Sequence, residues 1–268
     1  MAAASAGGAC LAVATPSMLE AVGTQATLGI YSVTSFVLCG TVSLLAQPPR
    51  KFERRSSHIV SWRDFKKPIF TLLFLANLIH PLTFATPMTF GPEFSDSLNF
   101  TNKMGSVLLA VNSAVGVPSR LVTGYVTDKI GHLNMLLLAT VTYALGTWGL
   151  WLTAAHTHNG TLWIIFTVGH GVFNGAFNTV INSIQKELFG PEMYYSYNGA
   201  MTSIRGVGYV VGVPLAGSLV SLVRDSELTG DDFTKPIVYT GVLLAVSVLC
   251  MVGIRVVDTK KKGWAWKR

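Results

Sequence analysis

Charge is what this chain has least of. Only 12% of its 268 residues are Asp, Glu, Lys or Arg, against about 25% in soluble domains. Acidic residues are the scarcer sign, 13 against 20 basic. Three cysteines without paired spacing, Cys10, Cys39 and Cys250, all lie in apolar stretches. That pattern excludes a disulfide scaffold or a thiolate metal site, and they read as small hydrophobes. There is no Gly-x-Ser-x-Gly, no Walker loop and no pair of Cys-x-x-Cys. The close histidines His156 and His158 have no further ligands beside them. With no nucleophile–base pair and no metal set, neither an enzyme nor a bound cofactor is expected.

What the chain does have is apolar length. Half of it is hydrophobic and its mean hydropathy is +0.47. Apolar runs recur at about 24–46, 69–90, 104–127, 134–155, 161–184, 197–223 and 236–254. Each is near the roughly 20 residues that carry a helix across about 30 Å of hydrocarbon. Residues 1–20 are small and apolar, lack the basic start of a signal peptide, and read as the tail of a further span. The fold class expected is all-α, a polytopic helical membrane protein embedded in a lipid bilayer.

The net charge of +7 is not a nucleic-acid signature, because of where it sits. With loops assigned alternately to two sides, 47–68, 128–133, 185–196 and the tail from Arg255 carry 15 Lys or Arg. The opposite loops, 91–103, 156–160 and 224–235, carry 3. This is the bias of cytoplasmic over external loops. Asn99-Phe-Thr101 and Asn159-Gly-Thr161 are glycosylation sequons, and both fall on the side assigned outside. The expected organisation is 1–46, a remnant of a preceding half; 47–68, a basic cytoplasmic connector lying near anionic headgroups; 69–257, a six-span block; and 258–268, a basic cytoplasmic tail.

Two arginines, Arg120 and Arg205, lie within spans. Arg120 is eight residues before Asp128, hence about 12 Å along a helix, and Arg205 is similarly deep. An arginine at helix centre costs about 2.5–3.5 kcal/mol on insertion scales. Each could snorkel to the inner surface, or both could face one polar cavity. The surrounding pattern favours the cavity. His170, Asn174, Asn178 and Asn182 recur every fourth residue, as do Asn112, Gly116 and Arg120. Asn198, Thr202, Arg205 and Tyr209 also form one stripe, and such spacing stacks residues on one helix face. Any single asparagine could instead be interhelical glue, at about 0.6 kcal/mol. Gly171/Gly175 and Gly208/Gly212 read as close-packing pairs. Pro81, Pro87, Pro118 and Pro214 interrupt spans, and His80-Pro81 with Pro87 would suit a bending gate.

Between the spans 104–127 and 134–155 stands Gly124-Tyr-Val-Thr-Asp128-Lys129-Ile-Gly131-His132. It resembles the cytoplasmic signature loop of the major facilitator superfamily, which lies between the second and third helices of each six-helix half. Here it falls between the second and third spans of the block, on the inner side. His132-Leu133 stand where the fullest form has two basic residues. Pro118-Ser-Arg120-Leu-Val-Thr-Gly124 and Gly212-Val-Pro214-Leu-Ala-Gly217 resemble the monocarboxylate-porter branch, especially its fungal members, as does Trp62-Arg-Asp-Phe-Lys-Lys-Pro68.

The resemblance implies that Arg120 is the eighth-helix arginine that engages a carboxylate. Four residues earlier, where animal members carry aspartate, this chain has Gly116, so a proton-coupling role does not transfer to that position. His170 is the candidate substitute for symport, since imidazole titrates near pH 6.5. The resemblance also implies that 69–90 to 236–254 are helices seven to twelve, with 24–46 as helix six and 1–20 the end of helix five. The chain is then expected to be truncated and unable to transport alone.

The leading expectation is a facilitator-type transporter of a small organic anion, with or without a coupled proton, in the plasma or vacuolar membrane. Arg120, Arg205, Asn112, His170, Asn174, Asn178 and Tyr209 would line the path. Asp128 and Lys129 would stabilise the inner closed state. The alternatives are a carrier of a neutral or larger metabolite, and a non-transporting membrane protein that regulates a complete carrier.

Overall fold

The computed structural model describes residues 2–45, 60–220 and 229–263, and among these there is no strand. Most of the expected connector, 46–59, lies outside the described residues, as do 221–228 and 264–268 of the basic tail. The helices are α1 (Ala2–Leu45), α2 (Pro68–Ser97), α3 (Asn102–Ile130), α4 (His132–Gly146), α5 (Leu152–Thr157), α6 (Gly160–Leu219) and α7 (Thr234–Lys262). A π-helical turn, Thr147–Trp151, joins α4 to α5, so those two form one crossing. Among the described residues, six helical runs are long and apolar enough to cross a membrane.

Two of these runs are folded back on themselves. Thr15 Oγ1 and Tyr31 Oη lie 2.7 Å apart, although sixteen residues of straight helix would separate them by about 24 Å. Arg205 Nη2 donates to Asn178 Oδ1 at 2.7 Å, where a straight helix would place them about 40 Å apart. Each run is therefore a pair of antiparallel arms. The reversals occur at Gly23 (φ 77°, ψ 169°) and Gly190 (φ 74°, ψ 167°), a conformation open essentially to glycine alone. Pro191, next in sequence, presets φ for the first turn of the second arm. Gly131, at φ 90° and ψ 153°, makes the same reversal between α3 and α4. The spans expected at 161–184 and 197–223 are the two arms of α6, and 1–20 with 24–46 are the two arms of α1.

The helix α2 runs to Ser97, past the expected end near 90. Its 30 residues measure about 45 Å, longer than the roughly 30 Å of hydrocarbon a span must cross.

Buried side chains divide into three layers. An inner cluster holds Phe70, Leu73, Leu136, Ile181, Ile184, Met201 and Ile254. An outer cluster holds Phe94, Trp151, Trp163, Phe166, Phe233 and Leu244. Between them, on every helix that contributes to both, come the buried polar residues. They include Asn77, His80 and Thr83 on α2, Thr140 on α4, His170 on α6 and Ser247 on α7. The polar groups thus occupy one layer at mid-depth, sealed by aromatic and aliphatic packing on either side.

Glycines fix which helices travel together. A Cβ on Gly208 would meet Leu78 O at 2.7 Å, and one on Gly212 would meet Leu82 Cα at 2.8 Å. The second arm of α6 therefore lies directly against α2. Gly171 is seated on the Asn112 carbonyl, and a Cβ on Gly175 would lie 2.9 Å from Ser119 Oγ. The first arm is accordingly held against α3.

Candidate functional site

The mid-depth layer is built from α2, α3 and the two arms of α6. Asn112 on α3 is buried, and its Nδ2 reaches Thr167 O at 2.7 Å and His170 Nδ1 at 2.9 Å, both on the first arm. An amide nitrogen only donates, so Nδ1 of the neutral imidazole must accept and Nε2 carries the proton. That Nε2 is buried without a hydrogen-bond partner among the described residues. Rings enclose it: Phe84 stacks on His170 at 5.1 Å and 9°, and Tyr143 meets it edge-on at 5.1 Å.

On the other side of Phe84 lies His80, at 5.9 Å and 6°, which stacks in turn on Phe177 at 3.4 Å and 9°. Phe177, His80, Phe84 and His170 form a column of near-parallel rings between α2 and the first arm. The sequence had placed His80 only as the partner of Pro81 in a bend. Nothing in a linear pattern shows that two rings one turn apart on α2 meet two rings two turns apart on α6.

The asparagine ladder is used as its spacing suggests, with one addition. Arg205, on the second arm, donates to Asn178 Oδ1, and Asn178 Nδ2 donates to Asn174 Oδ1 at 2.6 Å. The Arg205 guanidinium also lies 6.0 Å from the Phe177 ring centre and within hydrogen-bonding reach of Tyr209. Tyr209 meets Phe84 edge-on at 6.4 Å. Asn174 then borders a cavity of about 170 Å³ with Gly8, Met88, Asn112, Ser113, Gly116 and Arg120. No acidic side chain lines it. Asn174 is thus where the surroundings of the two arginines join: one reaches it through Asn178, the other shares its cavity. Below, Asn182, Ser183, Lys186, Tyr194 and Tyr195 line a second, open cavity of about 320 Å³ at the inner end of α6. Polar side chains therefore continue from mid-depth to the inner surface.

At the inner face the signature loop is a single glycine turn. Gly131 N–H donates to Thr127 O at 2.8 Å. Asp128 and Lys129 are exposed in the last turn of α3, with the Lys129 ammonium over the Tyr125 ring at 4.3 Å. Gly124, on the same face, has open space where a side chain would stand. His132, the departure from the fullest motif, has its own partner: its Nδ1 lies 3.1 Å from Glu187 Oε2 at the end of the first arm.

Beside this loop, Asp64 is buried and takes hydrogen bonds from Lys67 Nζ at 2.8 Å, Tyr197 Oη at 2.7 Å and Ser61 N–H at 2.9 Å. Asp64, and after it Tyr197, raise the Lys67 pKa above the ordinary lysine value because both favour the charged ammonium. This latch, which sequence reading missed, ties the end of the connector to the second arm of α6.

At the outer face, Asn99 and Asn159 are both exposed. Asn159 caps α6 with its Oδ1, which accepts from Thr161 N–H at 2.9 Å. His156 lies 3.0 Å from Asp231, so the histidine noted in the sequence has a carboxylate partner. Among the described residues no group of three or more His, Cys, Asp or Glu is placed to hold a metal.

Comparison with known proteins agrees with this architecture. A family model described as Major Facilitator Superfamily matches residues 1–212 and also 73–265. An MFS-type transporter of Gibberella moniliformis is 24% identical over 237 residues, 88% of this chain and 53% of that protein. An aspyridones efflux protein of Emericella nidulans is 26% identical over 193 residues, 72% of this chain and 37% of that protein. A riboflavin transporter of Saccharomyces cerevisiae is 22% identical over 178 residues, 66% of this chain and 33% of that protein. The chain spans about half or less of the length of these relatives.

Proposed function

The chain belongs to the Major Facilitator Superfamily, and from that premise we propose that it is a multi-pass carrier component for an organic anion, bound at mid-depth beside Arg120. The observation that supports this most directly is the cavity between α1, α3 and the first arm of α6. Among the described residues its lining brings a guanidinium together with amide side chains and includes no carboxylate. A carboxylate leaving water is costly alone and far less so beside a guanidinium and amide donors, which this lining supplies. A cavity of about 170 Å³ accommodates a carboxylate and its first carbons. The rest of a larger solute would extend toward the open polar cavity at Asn182 and Lys186.

Movement of the bound anion follows the family's alternating exposure of a central site. The closest backbone approaches at glycine join α3 to the first arm and α2 to the second, making two close pairs. The stacked rings His80, Phe84, Phe177 and His170 form the seam between those pairs. Flat rings at 6–9° to one another can slide without losing contact. The same seam would let the pairs shift as the site changes sides. His170 is the titratable group nearest the cavity through Asn112, and it is our candidate for any coupled proton.

The test is equilibrium binding of labelled monocarboxylates to the chain reconstituted in lipid. Binding should exceed that of the neutral amide analogues, and Arg120→Ala should weaken it at least tenfold. Unchanged binding of every anion in Arg120→Ala would rule the reading out.

A second reading is a carrier of a larger metabolite. It is supported by relatives whose names give aspyridones, agnestins and riboflavin as cargo. Preferential transport of a bulky neutral solute, insensitive to Arg120→Ala, would favour it.

A further inference from the structure

We infer that Arg205 acts on the anion through the amides and not by touching it. Arg205, Asn178 and Asn174 form a polarised relay whose far end, with Arg120, grips one carboxylate. The inference rests on the anion-carrier reading above and assigns separate roles to the two arginines.

The direction of the relay follows from donor chemistry. A guanidinium has only N–H donors, so Asn178 must turn its oxygen to Arg205, as it does at 2.7 Å. Its nitrogen therefore faces away, and it meets Asn174 Oδ1 at 2.6 Å. With that oxygen engaged, Asn174 has its Nδ2 as the remaining donor at the cavity it shares with Arg120. A cation at the head of such a chain polarises each amide after it, and hydrogen-bonded chains strengthen cooperatively. Arg205 is itself held within the protein, by Asn178 and over the Phe177 ring. Its charge is carried to the cavity as an oriented N–H.

Arg120 supplies the second donor from α3, across the cavity from the first arm. A carboxylate has two oxygens and only accepts when ionised, so one oxygen fits Arg120 and the other Asn174. A neutral amide of the same shape would turn an NH₂ group toward one of these donors, and the pair discriminates against it. Arg205 is thus a positioning residue, and Arg120 and Asn174 are the contact residues.

The experiment is a double-mutant cycle on the full chain in lipid nanodiscs, with labelled benzoate as probe and benzamide as its neutral counterpart. Helical content by circular dichroism confirms each variant is folded. Arg205→Gln and Asn178→Ala should each weaken benzoate binding about tenfold, the scale of one hydrogen bond to a charged group. The double variant should be no weaker than either single one, because the second change acts on a relay already cut. Arg205→Lys, which keeps a donor cation, should restore binding to within about threefold. Arg120→Gln should multiply with each of these changes. Losses that multiply in the Arg205/Asn178 double variant, or an Arg205→Gln variant that binds as well as wild type, overturn the relay and leave the anion site standing. A folded wild-type chain that binds no benzoate removes the anion reading and the relay with it.

Discussion

Asn112 joins two helices with one amide nitrogen, holding the Thr167 carbonyl and the His170 ring from across the α3–α6 contact. Replacing it with leucine leaves both acceptors buried without a donor. Unmade hydrogen bonds of this kind cost about 1–3 kcal/mol each, so Asn112→Leu should lower the unfolding temperature in detergent clearly. A shift indistinguishable from wild type would show that these bonds carry little. Asp64 presents the same situation at the inner face. Tyr197→Phe removes one of its donors and should cost about 1–2 kcal/mol. The Lys67 pKa lies above its ordinary value, so its share of the latch is complete below the unfolded lysine pKa. That share is lost only as pH rises through the higher, folded value. Thermal stability should therefore show no lysine-linked step from pH 6 to 9, and one that falls above the lysine range. The sequence displayed Arg120, Arg205 and the asparagine spacing plainly, because polar residues stand out on apolar cylinders. Asp64 and Tyr197 were not visible as a pair: they lie 133 residues apart, and each alone looks like an ordinary interfacial side chain.

Helices in this chain are paired by glycine, and each pairing can be tested against a glycine that pairs with nothing. At Gly208 a Cβ would meet Leu78 O at 2.7 Å, whereas at Gly206 there is open space. Gly208→Leu must push α2 and the second arm apart, an overpacking cost of about 1–3 kcal/mol. Gly206→Ala should be neutral or raise stability by up to about 1 kcal/mol through helix propensity. Equal melting temperatures for the two variants would contradict the packing described. Hydropathy located both arms of α6 as the runs 161–184 and 197–223. What hydropathy could not supply was the fold-back itself, which depends on a backbone angle that only glycine takes freely. The π turn at Thr147–Trp151 was equally hidden, since it keeps an apolar helical pattern. Its visible consequence is Trp148 set against Gly241, where a Cβ would meet the indole at 2.5 Å.

As a whole the molecule is a sandwich in depth, with apolar packing towards each end and a polar layer between, and the charge bias of its loops predicts that the basic end faces inward. Orientation is open to direct test. In a variant with all three cysteines replaced by serine, Asp231→Cys should react with a membrane-impermeant maleimide on intact cells. Lys129→Cys should react only after the membrane is opened, and the reverse order would invert the topology. Fold class and span positions were legible because a bilayer imposes length and polarity so strictly. The relations among spans were not, since many packings satisfy one hydropathy profile. The second arm of α1 leaves Leu28, Phe36, Val42 and Leu44 well exposed around its circumference, a surface suited to lipid or further helices. The centre of the account is a cavity that brings the Arg120 guanidinium and amide donors together, proposed to hold an anion. Equilibrium binding of labelled benzoate and benzamide to the purified chain, with and without Arg120→Gln, probes that centre most directly. Benzoate should bind to the wild type, weaken at least tenfold in the variant, and far outcompete benzamide; equal affinity for acid and amide, or no change on losing Arg120, would contradict the account.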